Sequence, residues 1–94
     1  MKNSATINSA IGKTVKALRV HFKFKQAYLA SKANITVKTL ANVENGKVGI
    51  DIVKLYSISN ALGVPIGLIP NLALEIVEKG QEDQEKVALK EILG

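Results

Sequence analysis

The sequence predicts an all-α fold, a bundle of four to five short helices followed by a C-terminal helical extension. Three observations predict it. Apolar residues recur at three- and four-residue spacing in one segment after another. Asparagine, serine, threonine or aspartate precedes most of these segments, and glycine or asparagine follows them. Ninety-four residues are enough for a single core but not for two.

The elements follow in order. Asn8 or Ser9 is expected to cap a first helix whose inner face carries Ile11, Val15, Leu18 and Phe22. A second helix is expected from Gln26 to Lys32, with Leu29 and Ala30 turned inward. Thr36 is the expected N-cap of a third, in which Leu40 and Val43 share a face and Gly46 marks the stop. Asp51 is expected to cap a fourth, with Ile52, Leu55, Ile58 and Leu62 inward and Gly63 at its end. The stretch from Gly63 to Pro70 holds two prolines and two glycines among apolar residues, and local rules leave a helical turn and a short strand both open. Asn71 then heads a helix through Leu72, Ile76 and Val77, which Gly80 ends or interrupts. Val87, Leu89, Ile92 and Leu93 form a final helical pattern. The reading divides the chain into a domain over 8–69 and an extension over 70–94. The apolar faces of the extension call for a second subunit to cover them.

Charge is distributed unevenly. Eight Lys/Arg and no acid lie between Met1 and Val43, whereas from Leu55 onward three Lys face six acids. Such a field attracts a polyanion to one face and repels it from the other. The absence of cysteine excludes disulfides, thiolate metal sites and a cysteine nucleophile. No apolar run approaches the length of a membrane span, and Met1–Ser4 lacks the apolar stretch of a secretory signal. A cytoplasmic protein without a membrane partner is expected. His21 is the lone histidine, and it suits a surface or helix-end position better than catalysis. Glu82, Asp83 and Glu85 read as a solvated charge run. With no phosphate loop, zinc spacing or nucleophile motif, no enzyme, cofactor or metal is expected. Phe22, Phe24, Tyr28 and Tyr56 are assigned to the core rather than to base stacking.

Gln26 to Asn45 reads as helix, sharp turn, helix. Ala30 supplies the small side chain that lets two helices cross closely, and Asn34 tolerates the positive φ that a tight turn requires. Leu29, Ala33, Ile35, Leu40 and Val43 fall where the helices pack. Thr36, Val37, Lys38, Thr39 and Asn42 are left outside, with no acid among them.

Taken with Leu18-Arg19, Gln26-Ala27-Tyr28-Leu29-Ala30, Ile35-Thr36, Leu40, Glu44-Asn45-Gly46-Lys47, Leu55, Ile58 and Ala61-Leu62-Gly63-Val64, this unit resembles the phage-repressor/Cro (XRE) family of helix-turn-helix regulators. The resemblance implies a lambda-repressor-like bundle binding double-stranded DNA as a homodimer on an inverted repeat. It implies that Val37, Lys38 and Asn42 face base edges and that Gln26 touches phosphate or an outer base. It also implies that Thr36, Thr39, Asn45, Lys47 and Lys25 hold the DNA backbone. Arg19 and Glu44 resemble the family's internal ion pair and are expected to be buried. Three positions depart from the family pattern. Lys23 stands where glycine often closes the first helix, Lys25 replaces a small capping hydroxyl, and Asn34 replaces the turn glycine.

The resemblance leaves two kinds of nucleoid-bound regulator open. One is a plain transcriptional repressor. The other is an antitoxin that also binds a toxin protein, because Ala61–Asn71 is similar to the stretch in HipB-type antitoxins where a short strand pairs across a dimer. A protein-only interaction module fits less well with the acid-free outer helix.

Overall fold

A computed structural model describes residues 4–79, and five helices follow one another there: α1 (Ser4–His21), α2 (Gln26–Lys32), α3 (Val37–Glu44), α4 (Ile52–Leu62) and α5 (Leu68–Lys79). No strand occurs among the described residues. α1 packs on α3 and α5, and α2 packs on α3 and α4. The core is aliphatic, drawn from Val15 and Leu18 of α1, Leu29, Ala30 and Ala33 of α2 and its end, Leu40 and Val43 of α3, Ile58, Ala61 and Leu62 of α4, and Ile69 of α5.

Four helix ends share one device. Lys23, Asn34, Gly46 and Gly63 adopt left-handed φ of 63°, 58°, 71° and 76°. In each case the next amide donates five residues back at 3.0 Å: Phe24 to Arg19, Ile35 to Ala30, Lys47 to Asn42 and Val64 to Ser59. This is the Schellman closure, which satisfies carbonyls the helix leaves orphaned. Lys23 therefore keeps the glycine-type turn and bears the strain of its Cβ, about 1–2 kcal/mol. Glycine there would relieve the strain but lose more chain entropy on folding. Lys23→Gly is expected to stabilise the fold by about 0.5–1 kcal/mol, raising the midpoint of thermal unfolding by several degrees. A lowered midpoint in circular dichroism melts would refute the strain.

Several expectations need correction. α1 already runs from Ser4, so Asn8 and Ser9 lie inside it rather than capping it. Its added turns have a partner: Ile7, Ala10 and Ile11 pack against Ala73, Ile76 and Val77 of α5. The inner face of α5 is thus covered within the same chain and needs no second subunit. The segment between Gly63 and Pro70 is a turn leading straight into helix, and α5 begins at Leu68, so Asn71 is not its cap. Pro70 is tolerated because first-turn amides have no intrahelical acceptor to lose. The expected boundary between 69 and 70 falls inside this helix, while Gly80, the 82–85 charge run and the 87–93 pattern lie outside the described residues.

Ile52 faces solvent rather than the core, since the buried arc of α4 is set by Ile58, Ala61 and Leu62. The aromatic residues are not core either. Phe22, Tyr28 and Tyr56 are exposed, and only Phe24 packs partly against the core. Phe22, Phe24 and Tyr28 instead form a ladder on the α1–α2 corner, with centroid spacings of 6.1 and 4.9 Å. The Lys32 ammonium lies over Phe24 and Tyr28, 5.9 and 5.4 Å from the ring centroids.

Candidate nucleic-acid interface

The proposed reading surface begins with the cap of α3. The Thr36 Oγ1 accepts the Thr39 amide at 3.0 Å and donates to the Thr39 hydroxyl at 2.8 Å. Two short side chains thereby fix the start of the helix and supply a free-standing N-terminus. Val37 and Lys38 follow on the exposed side, with Thr39 and Asn42 half-buried beside them. Leu40 and Val43 anchor the opposite face in the core. Asn45 and Lys47 are exposed at the closing turn. Lys25 is exposed at the head of α2, where it makes no side-chain cap.

Two glycines hold α3 against α1. A Cβ on Gly12 would stand 2.3 Å from the Val43 carbonyl oxygen and 2.6 Å from that of Glu44. A Cβ on Gly46 would stand 2.9 Å from the Ser9 Cα. The end of α3 therefore lies backbone to backbone on the middle of α1. In the sequence Gly46 reads only as a helix stop, and Gly12 carries no expected role. The available signal was a lone glycine inside a strong helical pattern, which usually has a packing reason.

Glu44, the acid nearest this surface in sequence, is neutralised internally. Arg19 Nε donates to its Oε2 at 2.6 Å and Nη2 to its Oε1 at 3.1 Å, while Nη1 donates to the Phe24 carbonyl at 2.9 Å. The two side chains are 12% and 2% exposed. Gln26 joins them, its amide donating to Glu44 Oε1 at 2.9 Å. One carboxylate thus ties together the end of α1, the first residue of α2 and the end of α3. One N–H of the Gln26 amide is committed inward, which leaves the second N–H and the carbonyl oxygen to meet any ligand.

The next acid, Asp51, caps α4. Its Oδ1 accepts the Lys54 amide at 2.8 Å, and its Oδ2 meets the Lys54 ammonium at 3.3 Å. That amide, then that ammonium, hold its carboxyl below the ordinary value. The outer side of α2 and α3 consequently carries Lys25, Lys32 and Lys38 with no uncompensated acid between Thr6 and Val43. Such a face attracts a polyanion.

The comparisons with known proteins agree with this geometry. A family model described as helix-turn-helix matches residues 15–69, more than half of the chain. An immunity repressor protein of Bacillus phage phi105 is 30% identical over 76 residues, which is 81% of this chain. The chain spans about half of that relative's length, 53%. Among solved structures, the clp gene regulator ClgR of Corynebacterium glutamicum superposes with a TM-score of 0.73 at 22% identity, over 86% of this chain and 88% of the other. The restriction-modification controller protein C.AhdI of Aeromonas hydrophila gives 0.65 at 19% identity, over 66% and 94%. Fold and family model converge on one conclusion: the chain belongs to the helix-turn-helix family of XRE-type DNA-binding regulators.

Proposed function

We propose that the protein is a repressor that binds an inverted-repeat operator as a homodimer. The observation that carries this reading is the acid-free outer side of α3, held rigidly by the Thr36 cap, the Gly12 approach and the Arg19–Glu44 pair. Val37, Lys38 and Asn42 offer an apolar contact for a thymine methyl, a donor for guanine and a bidentate partner for adenine. Thr36, Thr39, Asn45, Lys47 and Lys25 surround them at phosphate-holding positions. Gln26 adds an acceptor at the edge. The phage repressor relative supports the sign of regulation, and a duplex partner supports a location in the cytoplasm on the nucleoid. No helix among the described residues is long and apolar enough to cross a membrane. The antitoxin alternative rests on a short strand within Ala61–Asn71, and that stretch runs from the end of α4 through a turn into α5.

Selection of sites from a random duplex pool tests the reading. An inverted repeat with half-sites about one helical turn apart is the expected result. Equal, salt-sensitive binding to all sequences would refute it and turn attention to a toxin encoded nearby. On the selected site, Lys38→Ala and Asn42→Ala are each expected to cost about 1–3 kcal/mol and to relax preference at particular base pairs. Lys47→Ala is expected to weaken every sequence alike and lower the salt slope by about one. Identical behaviour of Lys38→Ala and Lys47→Ala would dissolve the division between reading and holding residues.

A further inference from the structure

The outward arc of α4 is apolar and carries no charge. Ile52, Val53 and Tyr56 are 67%, 70% and 61% exposed. At 100° per residue they fall with Asn60 within about a third of the helix circumference, and Gly63 continues the same line. Nothing comes within 4 Å of a Cβ built on Gly63. Beyond it, Ile66 is also exposed on the turn into α5. A run of this kind is of the size that marks an interaction surface on a small domain.

We infer that this stripe is the contact between two copies of the chain, formed by α4 on α4′ about a two-fold axis. The inference rests on the dimer proposed above and gives that dimer its surface.

Charge selects the occupant. In an isologous contact each residue near the axis meets its own copy, so a charged residue there repels itself. A chain of net charge +5 needs a neutral patch to self-associate. The α2–α3 side carries Lys25, Lys32 and Lys38, and the outer side of α5 carries Glu75, Glu78 and Lys79 around the single exposed apolar residue Leu74. The α4 arc between Asp51 and Gly63 meets the requirement, because its charged residue Lys54 lies off the stripe and is paired with Asp51. Asn60 suits an axis as well, since one amide both donates to and accepts from its copy.

Area agrees. The inner face of α5 is already spent on α1, so it has no apolar surface left for a partner. A standard interface needs roughly 800 Å² per partner. Three large apolar side chains of one stripe, extended by Asn60 and Ile66, supply the apolar centre of such a patch.

Sedimentation velocity of the full chain without DNA tests the contact. Wild-type protein is expected to be dimeric at tens of micromolar. Tyr56→Glu and Tyr56→Lys, at the centre of the stripe, are each expected to be monomeric with unchanged helical circular dichroism. Mixed one to one, they are expected to re-form a dimer, because opposite charges now meet across the axis. Leu74→Lys on α5 is expected to leave the dimer intact. A monomeric wild type, or two Tyr56 variants that remain dimeric, overturns the inference. An intact dimer that selects no operator would overturn the DNA reading and leave this surface standing.

Discussion

Gly12→Ala is expected to lower the unfolding midpoint by at least about 10 °C, although alanine is the better helix former. Helix propensity alone favours alanine by about 1 kcal/mol at an interior position. The tertiary contact acts the other way and is larger. The new methyl would meet the carbonyl oxygens of Val43 and Glu44 at 2.3 and 2.6 Å, and the Glu44 carbonyl carbon at 2.8 Å. These are backbone atoms at the end of α3, so no side chain can rotate aside. Either α1 and α3 separate or the end of α3 unwinds. Overpacking of this kind costs about 1–3 kcal/mol even where neighbours yield, and a net loss near 3 kcal/mol is expected here. For a domain this size, each kcal/mol moves the midpoint by about 4–8 °C. Affinity for the proposed operator should fall in the surviving folded fraction too, because the displaced element is the helix proposed to read it. Calorimetry settles the sign, and a raised midpoint would mean that α1 and α3 do not approach as described.

Arg19→Met is expected to cost about 3–5 kcal/mol, a large share of the 5–15 kcal/mol that holds a typical domain folded. It leaves Glu44, 2% exposed, with Gln26 as its remaining side-chain partner. Glu44→Gln is expected to cost less, because Arg19 is 12% exposed and keeps its bond to the Phe24 carbonyl. Removing both charges, as Arg19→Met with Glu44→Leu, is expected to recover most of the loss, since the penalty lies in the stranded charge rather than in the missing attraction. Urea unfolding of Arg19→Met, Glu44→Leu and the double variant gives the cycle. Additive losses in the double variant would mean that the pair is not coupled. Single losses below about 1 kcal/mol would mean that it behaves as a surface pair.

Helix α3 illustrates how much a local pattern carries. Leu40 and Val43 set the inner face of α3, and Thr36 and Asp51 sit where a hydroxyl or carboxylate can take an orphan amide. Asn34, Gly46 and Gly63 mark left-handed closures because few residues accept that conformation. Each of these depends on neighbours within one or two turns. Lys23 shows the limit: its type argues against a left-handed closure, yet the packing of Phe24 and the donation to the Arg19 carbonyl impose one.

Composition and spacing by themselves determined that the chain is helical, where most of its helices close, and that its basic residues concentrate in the N-terminal half. Only the tertiary structure decided what lies against what. It turned Ile52 and Tyr56 outward, because the arc of α4 is chosen by which of its faces α2 covers. It put Ile7 and Ala10 of α1 over the inner face of α5, removing the need for a partner there. It also gave Gly12 its role, since a glycine in a helix reads as a weakness until a backbone from another helix arrives within 3 Å of it. Periodicity reports which residues avoid water, and a short amphipathic helix has more than one way to satisfy that. The choice among them is made by elements distant in sequence, whose contacts no local spacing encodes.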